Sequence, residues 1–212
     1  SMYCRSSLPW NEHCCSGCAL PMNDIRGEGL CTDCGANRSA FQRCVAPLRY
    51  QGEARSWVRR LKFHHGLVEA RLLGALLAEA VLHGYLDQQL PDALVPVPLS
   101  LRRLARRGHN QALSLATTVA RYVNRTRVTR VRHGPSQRGL SREERRRNLT
   151  GAFASGSWQG ERLAVIDDVM TTVTTLAELA ATLLAAGASE VHAWCATRTP
   201  DPAGVFRAPQ YA

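Results

Sequence analysis

Two adjacent carboxylates, Asp167 and Asp168, follow the apolar run 163–166 and precede four threonines within five positions, Thr171, Thr172, Thr174 and Thr175. Paired acids where a buried strand leaves its sheet can accept hydrogen bonds from the vicinal hydroxyls of a ribose, or help to hold a metal ion. Threonine hydroxyls and unpaired N–H groups at the start of a following helix favour a phosphate. The two sites would be neighbours, so the pattern describes a receptor for a phosphorylated sugar. A strand end with one acid and a Thr cap would account for two of these residues but not for their density. Other nucleotide sites are ruled out by type: a P-loop needs Gly-Lys before Ser or Thr, yet the only lysine is Lys62 in "LKF", and no Gly-x-Gly-x-x-Gly occurs.

A second constellation lies near the start of the chain. Cys15-x2-Cys18-x12-Cys31-x2-Cys34 supplies two short hooks, each bringing two sulfurs to one side of a tight turn. Four thiolates so arranged close a tetrahedron on Zn²⁺ and leave no open position for a catalytic water, so the metal would be structural. Cys14 offers a competing register for Cys15, and His13 a substitute ligand. Cys4 and Cys44 are left over. A disulfide cluster is the alternative, disfavoured because the sequence shows no secretory leader, and a cytoplasmic location is expected.

These groups need elements to position them. The 212 residues suffice for one α/β domain and a small appendage, here 1–44 for the metal knuckle and 45–212 for the larger domain. The stretches "CVAPLRY", "ALVPVP", "RVTRVR", "RLAVID" and "EVHAWCAT" read as strands. Helical spacing marks "EARSWVRRLKFHH", "LVEARLLGALLAEAVLHGYL", "HNQALSLATTVARYVNR" and a helix from about 174 to 186, stopped by Gly187. The alternation predicts a parallel sheet with helices on both faces and a ligand at the carboxyl ends of the strands. No run of 18 apolar residues is present, so no membrane insertion is expected.

Charge is concentrated rather than spread. The chain carries a formal +10, with 26 Arg and one Lys, and the segment 98–150 holds 14 Arg against two acids, Glu143 and Glu144. That local +12 suits phosphate or nucleic acid, although an ordinary solvated face has the same composition. Among these arginines Tyr122 is the one aromatic before Phe153, so base stacking is poorly provided for.

"AVIDDVMTTVTT" resembles the phosphoribosyl pyrophosphate (PRPP) signature of type I phosphoribosyltransferases. "VPVPLSLRRLARRGHNQALSLA" and "QRGLSREERRRNLTGAF" are similar to two further segments of the ComF family, which includes the competence-associated ComF and the GntX-like proteins, and a four-Cys knuckle ahead of "LKF" fits the same family. The resemblance covers about residues 15–198. It implies a type I phosphoribosyltransferase fold, a parallel sheet flanked by helices, with a small N-terminal zinc-binding module. It also implies that Asp167 and Asp168 take the ribose hydroxyls and that the turn of Thr171, Thr172, Val173, Thr174 and Thr175 takes the 5′-phosphate. Arg107, Gly108 and Asn110 would then lie near pyrophosphate. The segment 137–150 would be a flexible loop bringing Arg145, Arg146 or Arg147, and Asn148, to the reaction centre.

The function so implied is Mg²⁺-assisted transfer of the phosphoribosyl group from PRPP to a nitrogen nucleophile. The alternative is a binding module of the same fold acting in DNA uptake with single-stranded DNA and competence-machinery proteins as partners. One residue departs from the motif: Val173 stands where glycine is expected. If the turn needs positive φ there, a β-branched residue costs roughly 1–2 kcal/mol and weakens PRPP binding. His64, His65 and His109 are expected to be structural, and Trp194 and Cys195 to belong to the core.

Overall fold

A computed structural model describes residues 5–22, 29–37, 39–63, 66–86, 88–119, 128–130 and 151–200. In chain order its elements begin with α1 (Thr32–Ala36), β1 (Arg43–Val45), β2 (Leu48–Arg49), α2 (Gly52–Phe63), α3 (Leu67–Gly84) and β3 (Ala93–Pro96). They continue with α4 (Leu101–Arg107), α5 (Gln111–Val119), β4 (Val128–Arg130), β5 (Phe153–Ser155), β6 (Arg162–Met170), α6 (Thr174–Ala185) and β7 (Glu190–Arg198).

The main sheet is parallel. β6 and β7 form its centre, with Leu163 opposite Val191 and Ile166 opposite Trp194. β3 flanks β6, while β1 and β2 succeed one another along the far side of β7. A strand covered on both faces reads as an unbroken apolar run, and 163–166 are all fully buried. The pleat divides the core in two. Leu163, Val165, Val191 and Ala193 pack on one face with Leu176, Leu179 and Leu183 of α6. Ala164, Ile166, Trp194 and Ala196 pack on the other against α2, α3 and α5.

α6 follows from its sequence: Leu176, Leu179, Ala180 and Leu183 recur at helical spacing and are all buried. Each such leucine stabilises the fold by about 2 kcal/mol. Its end is a Schellman turn in which Ala188 N–H donates to Leu183 C=O and Gly187 N–H to Leu184 C=O. Gly187 has φ of 103°, and a side chain there would run into the carbonyl of Trp158.

Several elements differ from the expectation. The strand carrying the acids does not end at Asp167 but runs to Met170, because β7 offers partners as far as Arg198. "CVAPLRY" forms two short strands, divided at Ala46 and Pro47. The loop after Val97 contains a helix, α4, which helical spacing alone did not mark. Ser100 starts it by accepting from Arg103 N–H at 3.4 Å, and Gly108 closes it with φ of 74°. β4 pairs antiparallel with β5 in a separate ribbon outside the parallel sheet. Among the described residues no helix is long and apolar enough to cross a membrane.

Trp194 and Cys195 lie in the core as expected. Trp194 donates its indole N–H to Tyr85 Oη at 3.1 Å, and Tyr85 Oη lies 2.5 Å from His192 Nδ1. Burial pushes the Cys195 thiol well above its usual range, which makes it inert. His109 spans the carbonyls of Leu61 and Arg107 at 3.0 and 3.1 Å, joining the end of α2 to α4. His64 and His65 lie outside the described residues.

Candidate functional site

β3 and β6 are neighbours and both end at the same edge of the sheet, so their following segments enclose a crevice there. Its cavity is about 170 Å³, and Asp167, Asp168, Thr171, Thr172, Thr175 and Arg107 line it together with Lys62, Arg103 and Arg130. A larger depression of about 350 Å³ lies elsewhere, against α3, but its lining gathers little more than the Arg5–Glu79 ion pair. The acid pair and the threonine turn make the smaller cavity the chemical site.

Consecutive side chains of a strand point to opposite faces, and Asp168 falls on the side of α2. There Lys62 Nζ stands 2.8 Å from Asp168 Oδ2. This oxygen is buried, and the Lys62 ammonium is the group that faces it. Asp168 N–H donates to Asp167 Oδ1 at 2.8 Å, and Thr197 Oγ1 donates to the Asp168 carbonyl at 3.0 Å. The strand backbone and its neighbour thus hold the pair rigidly.

The charges are strongly coupled. Burial, with the Asp168 charge beside it, pushes the Asp167 carboxyl up to about 8. For Lys62 burial pulls the ammonium down, but Asp168 and then Asp167 outweigh it, and the net displacement is upward. Burial, with Arg103 and Arg106 nearby, pulls Arg107 below its usual value. The cavity therefore sets four cations against two acids, an excess that invites a polyanion.

Other anticipated residues stand apart from the cavity wall. Asn110 donates from Nδ2 to the Val97 carbonyl at 3.1 Å and accepts Ala112 N–H at Oδ1, so it braces the loop after β3. Gly108 ends α4. Val173 has φ of −65° and ψ of −22°, ordinary right-handed backbone, so the strain expected of a valine there does not arise. Its side chain packs towards the cysteine module and the main core. Arg145, Arg146, Arg147 and Asn148 lie outside the described residues.

Sequence reasoning passed over Lys62, Arg103 and Arg130. Lys62 was on view as the one lysine of the chain, sited at the end of an amphipathic helix. Arg103 and Arg107 are four apart, one face of α4, which became visible only once α4 was known to be helical.

The four cysteines converge as the spacing requires. Cys15, Cys18, Cys31 and Cys34 are all buried, and their sulfurs lie within 4.8 Å of one another. Cys18 and Cys31 Sγ are 3.7 Å apart, against about 3.8 Å for the edge of a tetrahedron with 2.3 Å Zn–S bonds. A hydrogen bond from Cys18 pulls Cys15 down to about 4, while burial and the Cys15 charge push Cys34 up to about 12. Sulfurs this close cannot all ionise without a cation between them, so the donor set fits zinc. Cys14 is not part of the cluster and His13 is exposed, which fixes the register on Cys15. Cys44 is buried and Cys4 lies outside the described residues.

A parallel sheet flanked by helices, carrying paired acids near the end of its central strand with a threonine turn after it, and a four-cysteine module able to hold a metal, defines an α/β protein with a small N-terminal cysteine module. The chain is 35% identical over 203 residues to the DNA utilization protein YhgH of Escherichia coli K12, covering 92% of this chain and 88% of that one. It is 33% identical over 221 residues to Competence protein F of Haemophilus influenzae, covering 91% and 94%. The chain belongs to the ComF family, in which these relatives stand. No protein-family model matches it. A solved structure titled "Structure of the allosteric regulatory enzyme of purine biosynthesis" aligns with 60% of this chain and 25% of its own, at 21% identity and a TM-score of 0.38, a likeness too slight to carry weight.

Proposed function

We propose that the crevice binds PRPP, or a closely related phosphorylated ribose, and transfers the phosphoribosyl group to a nitrogen nucleophile. The observation that carries this reading is the convergence on one crevice of Asp167, Asp168, Thr171, Thr172 and Thr175 with Lys62, Arg103, Arg107 and Arg130. Carboxylate oxygens at the crevice can accept hydrogen bonds from the hydroxyls of a ribose. Asp167 and Asp168 hold the two ribose hydroxyls, and Thr171, Thr172 and Thr175 at the start of α6 hold the 5′-phosphate. Lys62, Arg103 and Arg107 balance the pyrophosphate.

In the reaction the nucleophile's nitrogen bonds to the anomeric carbon while the carbon–oxygen bond to pyrophosphate breaks. Pyrophosphate departs with the electron pair, and the nucleophile's proton passes to solvent. Positive charge developing on the ring is met by the Asp168 carboxylate, and negative charge on the leaving group by the arginines. Mg²⁺, held by phosphate oxygens with Asp167 or Asp168 within reach, would neutralise the leaving group. Zinc on the four cysteines holds the module together and takes no part in the chemistry. Equilibrium dialysis of labelled PRPP with Mg²⁺ tests the site: separate competition by ribose 5-phosphate and by pyrophosphate is expected, and competition by neither contradicts the assignment.

A second reading concerns DNA. Arg102 and Arg106 share the exposed face of α4 while Arg103 and Arg107 turn towards the crevice, so a basic surface begins at the mouth of the site. Together with relatives named for DNA utilization and competence, this favours a role in DNA uptake with single-stranded DNA and competence-machinery proteins as partners. The setting we propose is cytoplasmic, where thiolates remain reduced and available to zinc.

A further inference from the structure

Arg198, the last residue of β7, is buried, and its hydrogen-bond partners among the described residues are all carbonyl or hydroxyl oxygens. Nε donates to the Cys18 carbonyl at 3.0 Å. Nη1 lies within 3.1 Å of the carbonyls of Met170, Thr171 and Thr199. Two N–H bonds serve those three carbonyls, so the guanidinium is held by a ring of dipoles from three separate segments. Thr199 reinforces the ring: its N–H donates to the Met170 carbonyl at 3.1 Å, and its hydroxyl lies 3.1 Å from the Thr171 carbonyl.

One of these segments leads into the threonine turn of the candidate site. The Met170 and Thr171 carbonyls belong to the peptide planes whose N–H groups are those of Thr171 and Thr172. In a trans peptide the N–H points opposite to the C=O, so by drawing both carbonyls inward Arg198 turns both N–H groups away from itself. Another segment is the cysteine module, and Cys18, whose carbonyl takes Nε, is also one of the four clustered thiols. A second contact bridges the same gap, since the Val173 side chain packs on both the cysteine cluster and the main core. The residue that replaces the expected glycine is therefore part of the seam between module and turn.

We propose that Arg198 is a positioning residue that couples the metal module to the phosphate turn, so that zinc on the four cysteines raises the affinity of the crevice for a phosphorylated ribose. The proposal rests on the reading of the crevice as a phosphoribosyl site. Coupling of this kind is reciprocal: the factor by which zinc tightens the ligand is the factor by which the ligand tightens zinc.

The test uses the full chain, zinc-loaded or stripped with a chelator, as wild type, Arg198→Lys and Val173→Ala. In the wild type, saturating PRPP with Mg²⁺ is expected to tighten zinc by about fivefold in equilibrium competition against a chromogenic chelator, and stripping to weaken PRPP by the same factor. In Arg198→Lys, which keeps the charge but not the fork, both effects should shrink to about twofold or less. Val173→Ala, which keeps the turn's backbone, should lower the coupling by an intermediate amount and serves if the lysine variant does not fold. Unchanged PRPP affinity on stripping the wild type, or full coupling in both variants, overturns the proposal. If zinc-loaded wild type does not bind PRPP, the crevice reading has failed, and hydrogen exchange decides the coupling by itself. Faster exchange of the 171–175 amides on zinc removal, with the amides of 163–166 unchanged, supports it; an unchanged turn overturns it.

Discussion

Lys62 Nζ lies 2.8 Å from Asp168 Oδ2, and the pair joins the end of α2 to the central strand at the bottom of the crevice. Its two members are the one lysine of the chain and a carboxylate whose side chain is only 7% exposed. Removing the cation leaves that carboxylate uncompensated. Lys62→Met should lower unfolding free energy by about 3 kcal/mol, the low end for a broken buried pair because the lysine keeps some water contact. Urea denaturation with and without Asp168→Asn measures it, and the double variant should recover part of the loss.

The pH dependence follows from Asp167, whose carboxyl is pushed up to about 8. In the unfolded chain it ionises near pH 4, so between about pH 4 and 8 the folded protein holds a proton that the unfolded chain has released. Stability contributed by this group is present at low pH and lost as pH rises through 8. Chemical denaturation at pH 5.5 and 8 should show a smaller fall in Asp167→Asn than in the wild type; equal falls would contradict the assignment.

Zinc binding should depend on the cysteine register. The protein is expected to carry one zinc per chain, Cys18→Ser to lose it, and Cys14→Ser to keep it, because Cys14 lies outside the cluster. Metal analysis after dialysis reads this directly. Loss of zinc in Cys14→Ser alone would assign the site to the other register.

Val173→Gly should not tighten PRPP through relief of strain, since Val173 is already at φ of −65°. It should instead lower stability by roughly 1–2 kcal/mol, from lost burial and added backbone freedom. Thermal melts and PRPP titration together check this. A tighter, equally stable glycine variant would show that the valine obstructs the phosphate.

Reversing charge on the exposed face of α4 with Arg102→Glu and Arg106→Glu separates the two functional readings. Single-stranded DNA binding should weaken and its salt slope flatten, with PRPP affinity nearly unchanged. A DNA affinity that ignores both changes would place any nucleic-acid contact elsewhere.

The sequence made the parallel sheet legible because 163–166 and 193–196 are apolar on both faces, a pattern that only a twice-covered strand requires. The cysteine hooks were legible because ligand spacing is local. Lys62 and Arg103 were not, because the contacts that bring them to Asp167 and Asp168 cross about a hundred residues of chain in one case and depend on the unmarked helix α4 in the other. The backbone at Val173 was not legible for a related reason: motif identity says that glycine is usual there, whereas φ is decided by how the turn enters α6.

Asp167 and Asp168 are proposed to hold the sugar of a phosphorylated ribose. Titration calorimetry of PRPP with Mg²⁺ into zinc-loaded protein, run beside Asp167→Ala/Asp168→Ala, tests it most directly. Saturable binding near one ligand per chain, abolished in the double variant while the fold and zinc content persist, is the result predicted. Wild-type heats equal to dilution, or binding that survives loss of both acids, would contradict it.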